Sequence, residues 1–157
     1  MWFMSTHTAV SETRTQAVLD RITRLAGEKL GVPVACASFV NARRKLVASS
    51  AGLSTAVALL IGHRFSKRVV SSGHVLAIED VRAHAMAIGR PAIDGMVLAF
   101  AGAPLVDSWG RAVGALFVMD VTPRSWTELQ LQLLAECSAL IASELEAANG
   151  ATALGVM

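Results

Sequence analysis

The sequence predicts an α+β fold: an antiparallel sheet with the two terminal helices on one face and a lid of loops and short helices on the other. Helical spacing of apolar residues is confined to the two ends of the chain. Short apolar runs separated by turn residues fill the middle, and after Pro123 the pattern switches from alternation to helical spacing. At 157 residues the chain fits one domain, since a chain of about 150 residues buries roughly 70% of its extended surface.

The elements follow in order. Within 11–30, Val18, Ile22, Leu25, Ala26 and Leu30 share one helix face, with Ser11 as N-cap and Gly31 as the stop. The runs 33–41 and 45–50 read as a hairpin around the polar turn "NARRK". From Ala51 to Gly73 a loop is expected, then a short helix over about 66–72. "HVLAIED" (74–80) reads as a strand, and 81–95 as loop or short helix punctuated by Gly, Pro and Asp. Strands follow at about 96–106 and 111–121, joined by "DSWG". Thr127 and Gln130 then form a capping box that opens a helix over about 128–148. Residues 11–149 make the folded unit, with 1–10 expected to be disordered or expression-derived and 150–157 a flexible tail.

Composition narrows the function classes. The chain is 54% hydrophobic and 17% charged and contains no Tyr, which excludes a disordered chain and points to apolar surface that meets a partner. The charge-free stretches are broken by Ser, Thr, Gly or Pro, and the first residues lack a basic leader, so neither a membrane span nor a signal peptide is read and the chain is expected to be cytoplasmic. Two cysteines, Cys36 and Cys137, support no disulfide framework and no metal-ligand spacing. Residues 41–90 carry eight Lys/Arg against two acids, and 120–157 five acids against one Arg. With no recognition helix, aromatic RNA motif or phosphate loop beside it, the basic middle reads as a solvated face or a complement to the acidic tail rather than a nucleic-acid surface.

A sheet whose long helices lie on one face leaves the other to segments 51–73 and 79–95, and such a lid makes a pocket. Phe65 and Phe100 are its expected apolar walls, and Arg64, His74, Asp80 and His84 its orienting groups. The alternative is a lid collapsed on its own side chains.

"GVPVACASFV", "VLAIED" and the stretch from Phe100 through "AGAPL", Gly110-Arg111, "GALFVMD" and Pro123-Arg124 resemble a GAF domain of the bacterial signalling type over roughly residues 16–147. The resemblance implies a GAF/PAS-like sheet, a sensory or regulatory role, and dimerisation through the terminal helices. It also exposes departures. Relatives often carry Phe-Cys where Phe65-Ser66 stands, Asp where His84 stands, and Arg where Leu98 stands. Bilin-binding relatives attach chromophore through a lid Cys, and haem-binding relatives place a His shortly before the aromatic-x-Gly-x-Pro motif. The sequence has neither.

Two readings follow from different classes. One is a sensor binding a small, uncharged or anionic molecule without a covalent bond, its identity and any cofactor left open. The other is a ligand-free dimerisation module. An output domain or partner signalling protein accompanies either. A third reading, a GAF-type methionine sulfoxide reductase, needs a reactive Cys, whereas Cys36 sits mid-strand in an apolar run and Cys137 in the last helix, both read as core thiols, so no catalytic residue is assigned. The last helix carries two apolar stripes, Leu129, Leu133, Cys137, Leu140 and Ile141 beside Leu131, Leu134, Ala135, Ala142, Leu145 and Ala148. One is expected to face the sheet and the other a partner's helix.

Overall fold

The computed structural model describes residues 2–40, 46–52, 55–83 and 97–156. Helix α1 (Trp2–Leu30) leads into strands β1 (Val34–Val40) and β2 (Leu46–Ala51). Helix α2 (Thr55–Ser72), strand β3 (Leu76–Ile78) and a 3-10 turn (Val81–Ala83) follow. Strands β4 (Ala99–Val106) and β5 (Ala112–Asp120) and helix α3 (Glu128–Val156) complete the chain. The strands form one five-stranded sheet in the order β2-β1-β5-β4-β3, and every adjacent pair is antiparallel. The α+β class and the hairpins match the sequence reading.

Strand alternation builds the two faces. Ala35, Ala37 and Phe39 of β1, Ala101, Ala103 and Leu105 of β4, and Leu116 and Val118 of β5 point to the side covered by α1 and α3. There they meet Leu19, Ile22, Ala26, Leu134, Ile141 and Leu145. The intervening residues, Val34, Cys36, Phe100, Ala115, Phe117 and Met119, point to the opposite side and meet Phe65 and Val69 of α2. This period of two is what divides one sheet between two apolar clusters.

Local signals act as their chemistry requires. The Asp107 carboxylate accepts from the backbone N–H groups of Trp109 and Arg111, both at 2.9 Å, and Gly110 takes the positive φ of 79° that closes the β4–β5 turn. The capping box forms: Gln130 N–H donates to Thr127 Oγ1 at 3.1 Å, and Thr127 N–H donates to Gln130 Oε1 at 3.0 Å. Gly114 is held for space, because a Cβ there would lie 2.1 Å from the Ser38 carbonyl oxygen of β1. The close neighbour is therefore the backbone of β1.

Three expectations are corrected. Residues 55–72 form one 18-residue helix, not a loop with a short helix at its end. Its Ala, Ser and Gly content weakens the helical signal, but Phe65 and Val69, four residues apart, anchor it on the sheet. Strand β3 spans only Leu76–Ile78, so His74 and Asp80 lie outside it. Helix α1 begins at Trp2 rather than Ser11 and α3 runs to Val156, so Ser11 is an interior helical residue.

The two proposed stripes of α3 also mix. Leu134, Cys137, Ile141, Ala142 and Leu145 are all buried, whereas Leu129 and Leu140 are 75% and 49% exposed. Leu134, Cys137, Ile141 and Leu145 advance by three or four residues, with Ala142 beside them, and this defines the true inner face.

Candidate functional site

The side of the sheet beneath α2 holds the candidate site. Its floor is aromatic: Phe65 and Phe100 have ring centroids 5.2 Å apart, and Phe100 and Phe117 stack at 5.5 Å. All three rings are at most 1% exposed. Two of them come from adjacent strands and the third from the helix above. Gly62 permits this approach, since a Cβ there would lie 2.2 Å from the Phe117 ring. Val69, Ile78, Val81, Val97 and Met119 complete the cluster.

The residues expected to form the site divide. Phe65 and Phe100 come together, in direct contact with each other. Arg64 is half-buried next to Phe65 on α2. Asp80 is engaged locally: its carboxylate accepts from Arg82 Nη2 at 2.8 Å, from Nε at 3.0 Å and from the Arg82 backbone N–H at 3.0 Å. Hydrogen bonding from the Arg82 side chain holds the Asp80 carboxyl below its ordinary range. His74 is exposed and lines a different groove, with Pro104, Val106, Ala139 and Glu146, of about 580 Å³. His84 lies outside the described residues, as does the rest of 84–96.

The departures from the family pattern have structural outcomes. Ser66, where relatives often have Cys, is buried and donates its hydroxyl to the His63 carbonyl at 3.0 Å. Leu98, where relatives often have Arg, packs against the aromatic cluster; its carbonyl accepts from the Val81 N–H and its N–H donates to the Asp120 carbonyl. Both positions thus serve packing. Sequence reasoning missed Phe117 and Met119, although their alternation with Leu116 and Val118 places them on the face of Phe100.

Cys36 lies in this cluster, and burial pushes its thiol up to about 12. The Cys137 thiol on the other face is raised as well, first by burial and then by the Glu136 carboxylate. Neither environment favours a thiolate. Among the described residues no three His, Cys, Asp or Glu side chains gather as a metal site, and no helix is long and apolar enough to cross a membrane.

A second concavity, of about 300 Å³, lies between α1 and α3 and is lined chiefly by Val18, Leu19, Ile22, Ile141 and Leu145, with Arg14 and Glu144 at its rim. It is apolar, and it opens between the two terminal helices.

Comparison with known proteins supports the same architecture. No curated protein matches the sequence. Among solved structures, the GAF domain of an Acinetobacter phosphoenolpyruvate-protein phosphotransferase superposes with a TM-score of 0.69 at 16% identity, covering 91% of this chain and 87% of that one. The cyanobacteriochrome TePixJ GAF domain superposes with a TM-score of 0.67 at 16% identity, covering 85% and 90%. Free methionine-R-sulfoxide reductase from Neisseria meningitidis, solved with its substrate, gives 0.68 at 20% identity, covering 90% and 87%. Identities this low speak for the fold. The family model described as GAF domain matches residues 12–146, and on that match the chain belongs to the GAF domain family.

Proposed function

We propose that the chain is a cytoplasmic sensory domain that binds a small organic molecule non-covalently on the α2 face and signals through a homodimer of its terminal helices. The observation that carries this reading is the division of the interior into two apolar clusters with separate covers. A rearrangement under α2 leaves the helix-packed face its own core, so one side is free to respond while the other holds the fold. Phe65, Phe100 and Phe117 supply apolar walls, and Arg64 and Asp80 are the proposed orienting groups; of the other two expected from the sequence, His74 lines the separate groove and His84 lies outside the described residues. The groove between α1 and α3, with Leu25, Leu129 and Leu140 exposed on the same helices, supports association there. An output domain or a partner signalling protein would receive the signal.

One observation favours the second reading, a ligand-free dimerisation module: the three rings beneath α2 are in contact and sealed from solvent. For the reductase reading, the Neisseria neighbour shares the fold, but a thiol raised to about 12 is protonated at neutral pH and is a poor nucleophile. Mass spectrometry of the protein purified from its host separates the first two. The sensor reading expects an added mass under native conditions that disappears on denaturation, and a bare chain under both conditions favours the dimerisation module.

A further inference from the structure

Two distant parts of the chain, residues 30–31 and 78–79, meet the segment from Asp120 to Trp126. The Arg124 guanidinium donates from Nη1 to the Gly31 carbonyl at 3.1 Å and from Nη2 to the Leu30 carbonyl, satisfying the open carbonyls at the end of α1. The same Nη1 lies 3.2 Å from the Asp120 carboxylate at the end of β5. Backbone N–H of Arg124 donates to the Glu79 carbonyl at 3.0 Å, just after β3. The guanidinium also stacks over the Trp126 ring, 5.1 Å from its centroid, and Trp126 Nε1 donates to the Ile78 carbonyl at 3.1 Å. Arg124 and Asp120 are only 20% and 16% exposed, so water screens this pair less than an ordinary surface pair.

We infer that Arg124 and Trp126 act as a staple that couples the segment after β3, which leads into 84–96, to the C-terminal end of α1 and the start of α3. This rests on the proposed sensory reading for its purpose, though not for its test. Residues 78 and 79 are the point where the edge of the α2-side cluster meets the staple, because Ile78 is buried in that cluster while its carbonyl accepts from Trp126. Moving that backbone displaces the Trp126 ring. The ring lies against the guanidinium, and the guanidinium holds the carbonyls of Leu30 and Gly31 at the end of α1. Arg124 and Trp126 are thus positioning residues that touch no ligand.

Amide hydrogen exchange on the full-length chain tests the coupling with no ligand present. Trp126→Phe keeps an aromatic ring at this position and removes the N–H donor together with the five-membered half of the indole. Exchange is expected to rise about tenfold, the factor corresponding to one hydrogen bond of ordinary strength, in 76–83 and also in 27–32, with the amides of β4 and β5 unchanged. Arg124→Ala is expected to raise both segments, and the double variant to raise them by less than the product of the single effects. Trp126→Phe loosening 76–83 alone, or multiplicative effects in the double variant, would overturn the coupling. Because Trp126→Phe is conservative, the test survives even if Arg124→Ala does not fold. A coupled staple in a protein that binds nothing would leave this inference standing and remove the sensory reading.

Discussion

The two faces of the sheet are filled in different proportions. On the α1/α3 side the strands mix small residues, Ala35, Ala37, Ala101 and Ala103, with Phe39, Leu105, Leu116 and Val118, while two helices bring Leu19, Ile22, Leu134, Ile141 and Leu145 down onto them. On the α2 side the sheet itself supplies the volume, as Phe100, Phe117 and Met119, and the single helix adds Phe65 and Val69 around a glycine. The two helices α1 and α3 bury their own large side chains in the gaps the alanines leave, and lifting them exposes those side chains. Rings standing on a sheet remain partly packed against one another when the cover moves. On the proposed sensory reading, the α2 side is the one that admits a ligand and the α1/α3 side the one that associates and transmits.

Four substitutions break or sharpen this contrast. Phe100→Ala removes the ring that touches both Phe65 and Phe117, and should cost about 3–5 kcal/mol in urea denaturation, the upper range for a buried aromatic. A loss below about 1 kcal/mol would mean that the aromatic floor is not a packed core. Gly62→Ala sets a methyl against the Phe117 ring, so overpacking should cost about 1–3 kcal/mol and fall on α2 rather than α1 or α3. Amide exchange that rises equally on both faces would show the two clusters acting as one.

Cys36→Ser places a hydroxyl in the apolar cluster and should cost up to about 2 kcal/mol while leaving any ligand response intact. The thiol also predicts a pH signature. Its folded value is raised from 9.0 to about 12, so the folded state holds the proton more tightly than the unfolded state. That contribution is present in full below pH 9.0 and is lost as pH rises from 9.0 towards about 12. Cys36→Ser should therefore flatten the alkaline decline in stability, and an unchanged decline would locate its cause elsewhere. The smallest stability effect is expected for Leu140→Glu, because Leu140 is 49% exposed. Stability should stay within about 0.5 kcal/mol of wild type under conditions where the chain is monomeric. Sedimentation at micromolar concentration should shift from dimer to monomer, and an intact dimer would move the interface off the outer side of α3.

Much of the fold was legible because it rests on local chemistry. The "DSWG" turn and the Thr127–Gln130 capping box each place their hydrogen-bonding groups within four residues, and both form as read. Helix α2 was not legible in full, since its outline depends on Phe65 and Val69 meeting rings that arrive from β4 and β5, long-range partners that no local window contains. The candidate site was half legible for the same reason. Phe65 and Phe100 announce themselves as large apolar residues, whereas the roles of Ser66 and Leu98 emerge only from their packed neighbours. Trp126 reads in sequence as one more residue before a helix. Its bond to the Ile78 carbonyl spans 48 residues and has no sequence signature.

The most direct test of the division between a responsive face and a structural one is thermal denaturation of the wild-type chain against metabolites, nucleotides and haem. A compound that binds the folded state at a hundredfold excess over its Kd adds about 2.7 kcal/mol. For a domain of this size that should raise Tm by about 5–10 °C. The account predicts that at least one compound does so, and that Phe100→Ala weakens or abolishes the shift. No movement of Tm across the whole set, with the dimer intact, would contradict it and leave the α2 face as a second core closed on its own rings.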